Sequence, residues 1–299
     1  MIHKWFSPLS ISAIMAVTAA SAQAVTVANF TGGNSSVIVD AYQGTAGSGW
    51  QGEWIMNQTN ANSTGTVTNA TPVNGGGNYL AMTSTTSGNG ASATGWNRQY
   101  GGSGGGVSLS STHTISWTFR VDETATSLSS NFNTGNDRYQ FTGGNAAANT
   151  SAASNEWFVF SSGATPAPAG GNFAARKWEF YSGGATSAFG DGSIVDSGIS
   201  LVSGTTYFFS ITTDPSTRTY VGTVSDGTNS FTTGTLNWRN QVDNPASSGG
   251  FFTASITSSA AGETRSASLD SISIVPEPSS SLLLLGAAAI LGTRRKRSH

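Results

Sequence analysis

Apolar residues recur at every second position over much of this chain. A period of two commits those segments to extended strands that bury one face and show the other to solvent. The pattern is plainest over residues 114–121. There Ile115, Trp117, Phe119 and Val121 share one face, and Thr114, Ser116, Thr118 and Arg120 the other. Segments 25–30, 36–42 and 79–82 repeat it, and 156–160 and 177–181 add the aromatic density that strands favour. No window between residues 25 and 274 offers an amphipathic helix of useful length. Glycine, with 38 copies, interrupts the chain at the short intervals expected of a sandwich or barrel. The expectation is an all-β fold, a single antiparallel β-sandwich over residues 25–274.

The best-defined stretch lies between residues 205 and 231. A strand over 207–213 leads into Asp214-Pro215-Ser216-Thr217, a turn with Asp at its first position and Pro at its second. A strand over 219–224 returns, and Asp226-Gly227 signals a tight hairpin into Ser230-Phe231. This meander resembles the concanavalin A-like or laminin G-like jelly roll. The closing segment 267–274 looks like that family's last strand, which pairs beside the first. Segments 57–71, 101–106, 145–154 and 164–171 are rich in Asn, Thr, Ser, Ala and Gly and read as loops.

The two ends belong to a different physical class. Pro276-Glu277-Pro278 is followed by an apolar run over 282–293 and then by Arg294, Arg295, Lys296 and Arg297. At about 1.5 Å per residue a helix of that run is short against a hydrocarbon core of about 30 Å, so it makes a poor permanent anchor. The four basic residues favour a cytoplasmic end, and the two prolines keep the preceding backbone extended. This order of elements resembles the PEP-CTERM sorting signal. The resemblance implies a sorting signal over 275–299, made of the Pro-Glu-Pro motif, a short transmembrane helix and the basic tail, with processing by an exosortase and transient association with the inner membrane. At the other end Lys4, an apolar stretch over 9–20 and Ala22-Gln23-Ala24 form a secretory signal peptide. Residues 1–24 are expected to be removed by signal peptidase before Val25.

With the ends set aside the body keeps eight basic residues against fifteen acidic ones, counting Glu277, a balance of −7. A weakly acidic surface argues against nucleic acid and anionic lipid as partners. Charged residues make up only 9% of the chain, against about 25% in an ordinary domain, so hydroxyls and amides must carry solubility. The chain has no cysteine, hence no disulfide or thiolate chemistry.

The body is poor in catalytic groups. Its one histidine, His113, stands at a strand start with no nucleophile elbow nearby, and reads as a solvated strand-end residue. No phosphate-cradling loop occurs, and no metal or other cofactor is expected, since Asp137 and Asp191 read as turn residues. Glycoside hydrolysis needs paired carboxylates. Glu156 and Glu179 each stand alone among aromatics and are expected to point outward, and Asp122-Glu123 is merely adjacent. Trp117, Trp157 and Trp178 belong to periodic strands and read as core. Trp50, Trp54 and Trp96 lie in loop-like surroundings and are the candidates for a surface that stacks on sugar rings. Ice binding would call for flat, regularly spaced ranks of Thr-x-Thr, and residues 83–86 and Thr212-Thr213 are not such an array. The reading is an exported, non-enzymatic cell-surface or extracellular-matrix protein associated with exopolysaccharide. The alternative is a lectin-like carbohydrate-binding module.

Overall fold

A computed structural model describes residues 25–28, 30, 50–87, 91–100, 111–144, 156–163, 176–184, 192–239 and 250–276. In chain order the first strands are β1 (Val25–Ala28), β2 (Gln51–Thr59), β3 (Ala61–Thr68), β4 (Tyr79–Thr86), β5 (Ser92–Gln99) and β6 (His113–Val121). A short helix, α1 (Ala125–Asn131), follows. Next come β7 (Arg138–Gly144), β8 (Phe158–Ser162), β9 (Lys177–Ser182), β10 (Ser193–Ser200) and β11 (Thr206–Asp214). The last are β12 (Thr219–Ser225), β13 (Ser230–Thr232), β14 (Leu236–Asn237), β15 (Phe251–Ser258) and β16 (Thr264–Pro276).

These strands form two sheets, and every described pairing is antiparallel. One has nine strands in the order β13-β12-β11-β6-β16-β4-β3, with β1 on β16 and β14 on β12. The other has seven, ordered β10-β9-β8-β7-β15-β5-β2. The expected antiparallel sandwich is what forms, and the last strand does lie beside the first. The predicted meander is β11-β12-β13. Asp214 and Asp226 each accept backbone N–H bonds that close its turns, and Gly227 supplies the positive φ of 87° that the second turn requires.

The core is aromatic because the period-two faces meet there. Trp117 of β6 stacks on Phe209 of β11 at 5.1 Å and meets Phe141, Trp157 and Phe252 of the other sheet at 5.0–5.5 Å. The opposite face of the nine-stranded sheet carries hydroxyls that bond across strands. Thr114 pairs with Thr212 at 2.8 Å, Ser116 with Ser210 at 3.2 Å and Thr223 with Thr232 at 3.0 Å. That is how a chain so poor in charge keeps a wettable sheet.

Two expectations change. Residues 57–71 are not a loop: they finish β2, turn at Asn60 and supply all of β3. The seven-residue α1, held by Thr124, whose hydroxyl accepts from the Ser127 N–H, is too short to alter the all-β reading. His113 is not solvated but 1% exposed, since β6 is a central strand with β11 and β16 on its two sides. The expected strand at 36–42 and the hydrophobic helix of the tail lie outside the described residues. Among the described residues no helix is long and apolar enough to cross a membrane.

Strand β16 has two different neighbours on one side. β4 flanks it up to Leu269. A bulge between Asp270 and Ser273, with Ser271 at φ 53°, then bends it, and β1 flanks residues 272–274. Its final pair sets Pro276 against His113.

Candidate functional site

The register of the seven-stranded sheet defines two faces. Phe141, Ala254, Trp96, Val159 and Phe180 lie side by side and fill the core. One position along, a second rank crosses the outer face: Asp196, Glu179, Phe160, Gln140, Ser255, Gly95 and Asn57. Phe160 joins Phe158 and Tyr181 in a small aromatic cluster separate from the main core. Arg138, one rank away, lies with its guanidinium 5.8 Å from the Phe160 ring centre and donates through Nε to the Gly135 carbonyl. Burial pulls its pKa down, and the nearby Glu179 carboxylate works in the opposite direction.

Beyond Phe160 the rank becomes small and neutral. Ala93 of β5, on the same face as Gly95, carries only a methyl. A cavity of about 280 Å³ opens there, lined among others by Thr59, Ala93, Asn136, Arg138, Gln140 and Thr257. Gln140 is 1% exposed, and neither its amide oxygen nor its nitrogen has a hydrogen-bond partner among the described residues. Its register neighbour Ser255 is likewise buried, with an unpartnered hydroxyl. Such groups are uncommon in folded proteins and ask for a reason.

The tryptophans proposed as a sugar platform are not available for stacking. Trp54 and Trp96 are 1% and 0% exposed and Trp50 is 6% exposed; all three belong to the main core cluster. The physical reason is that their surroundings are sheet. Trp54 sits in β2 and Trp96 in β5, while Trp50 precedes β2 and stacks on Trp54 at 6.4 Å. That expectation is corrected. Nor do the two lone glutamates reach solvent. Glu179 is on the outer face but 0% exposed, and Glu156 is 2% exposed with Tyr100 donating to it at 3.4 Å. Burial raises the Glu156 pKa to about 7, the Tyr100 hydrogen bond opposing the rise. Asp137 is committed elsewhere. Ser259 and Thr134 N–H groups each reach it at 2.8 Å, and Arg265 lies at 3.3 Å. Burial opposes its ionisation, but these donors prevail and its carboxyl titrates below the usual range. The same guanidinium holds Glu123 at 3.4 Å and Glu263 at 3.0 Å, a buried cluster that joins β16 to the loops around α1. Asp191 lies outside the described residues.

Of the sorting segment, Val275 and Pro276 are described and end β16 against Thr114 and His113. Ala22, Ala24, Glu277, Pro278, Arg294, Arg295, Lys296 and Arg297 lie outside the described residues. Residues 275–297 match the family model of the PEP-CTERM protein-sorting motif. The chain carries a PEP-CTERM sorting motif. This motif marks an exported protein that an exosortase processes and that is sorted to the cell envelope or extracellular surface. No protein of curated function matches the sequence. Similar solved structures are lectin-like jelly-roll β-sandwiches. Peanut lectin with a nine-residue peptide is 12% identical at a TM-score of 0.40, covering 75% of this chain and 98% of its own. A Lotus tetragonolobus seed lectin is 12% identical at 0.42, covering 75% and 100%. A sialidase is 9% identical at 0.43, covering 83% of this chain but 19% of its own.

Proposed function

We propose that the sandwich ahead of the PEP-CTERM motif is a non-enzymatic module delivered to the cell surface or extracellular matrix, where it associates with exopolysaccharide. The observation that carries this reading is the junction itself. The last residue of β16, Pro276, is the first proline of the motif, so what is sorted is the sandwich as a folded unit.

Two features support the absence of catalysis. Glu179 pairs in register with Phe160, four residues along the chain from Glu156. Glu156 lies ahead of β8 and is buried with Tyr100 donating to it, and Glu179 is buried in β9, so neither carboxylate is presented to solvent as glycosidic cleavage requires. His113 bonds through Nδ1 to the Ser111 carbonyl at 2.9 Å and meets Tyr100 edge-on, with no hydroxyl or carboxylate on Nε2 among the described residues. A lectin-like role is the second reading, favoured by the neutral polar cavity at Gln140.

The test is to incubate the mature protein, purified from its host, with the host's own matrix polysaccharide. Co-sedimentation without release of reducing ends is expected. Release of sugars would replace the reading with a hydrolase, and a lack of co-sedimentation would remove the polysaccharide.

A further inference from the structure

We propose that the cavity between β15 and β2 on the outer face of the seven-stranded sheet is a subsite for one neutral sugar residue of a longer chain, read by the Gln140 amide. This inference rests on the polysaccharide reading above and gives it a location. Four observations converge on it. The first is space: Ala93, with only a methyl, lines a cavity of about 280 Å³, which lies at the low end of ligand sites, ring-sized rather than oligomer-sized.

The second is the unpartnered amide. Gln140 offers two donors and an acceptor from a buried position, and vicinal sugar hydroxyls both give and accept hydrogen bonds, so one amide satisfies two of them. The Ser255 hydroxyl beside it extends the same polar strip. The third is charge. Among the described residues Arg138 is the one cation lining the cavity, and it lies near Glu179 and over Phe160, so the described lining does not favour an anion. The fourth is access. Ala91, Thr59 and Asn136 on the rim are exposed, and a chain that seats one ring can continue past them into solvent. Thr257, also in the lining, donates its hydroxyl to the Asn136 carbonyl.

An isolated buried amide costs stability, whereas a leucine of similar size there costs nothing in hydrogen bonds. Gln140→Leu therefore separates binding from folding. Affinity electrophoresis of the mature protein would use gels containing laminarin, galactomannan or dextran, with alginate as the anionic control. Retardation by at least one neutral polymer is expected, weakened about tenfold by Gln140→Leu. The melting temperature of this variant should be unchanged or raised. Ala93→Leu, which fills the cavity, is the second variant and should weaken binding similarly. If both variants fold and bind like the wild type while the matrix polysaccharide still co-sediments, this site is wrong and the broader reading stands. Retardation by alginate alone would overturn the neutral ligand class. Failure of the wild type with every polymer, the matrix polysaccharide included, would end both.

Discussion

Glu156 shows what burial does to a single group here. Its carboxyl titrates near 7 instead of the ordinary 4.5, because desolvation outweighs the one hydrogen bond from Tyr100. Folding therefore takes up a proton at this residue between those two values. Stability is greatest below about pH 4.5, falls as pH rises through 7 and then levels off, a change on the order of 3 kcal/mol. Melting curves between pH 5 and 8 should decline for the wild type and lie flatter for Glu156→Gln; parallel curves would refute the assignment. Trp96 makes the complementary case. Fully buried in β5, it should cost about 3–5 kcal/mol when changed to Ala, whereas a solvent-facing platform residue would cost little. The sequence hid both facts for one reason. Period-two alternation says which face a side chain takes, but not whether that face meets water. Glu179 sits on the outer face, as alternation requires, and is nonetheless buried. Gln140 could have been suspected only from its setting in Arg138-Tyr139-Gln140-Phe141, a strand pattern with the amide on the non-core face.

Among the elements, those with bulky alternating residues were legible and those built from small polar ones were not. Ile115, Trp117, Phe119 and Val121 announce β6, and 207–224 announces β11 and β12. β3, Ala-Asn-Ser-Thr-Gly-Thr-Val-Thr, has Val67 as its one large apolar residue and reads as low complexity. Its strand character comes from eight register pairs with β4, a tertiary effect that no local pattern carries. β16 is the element on which the architecture turns, since it joins β6, β4 and β1 and buries Leu269, Ile272 and Ile274. Ending the chain after Val275 keeps those residues and should leave a cooperative β-rich fold by circular dichroism. Ending it after Asp270 strips two core isoleucines and the seat of β1, and should give a species that aggregates or melts without a transition. Equal behaviour of the two truncations would show that β16 beyond its bulge is dispensable.

For the whole molecule the consequential feature is continuity between fold and address. The sandwich ends where the PEP-CTERM motif begins, so cleavage at the motif can leave every described pairing of β16 from Thr264 to Val275 in place. The sorting route was legible in the sequence because it depends on order and composition alone. The proposed binding face was not, because its residues come together only once seven strands are in register. Mass spectrometry of the surface-exposed protein from its native host tests the central claim most directly. The account predicts a form that begins at Val25 and lacks residues 279–299. Replacing Pro276, Glu277 and Pro278 with alanines should leave the protein exported, membrane-bound and uncut. A wild-type surface form that retains Arg294 to His299 would contradict the account and make the tail an anchor.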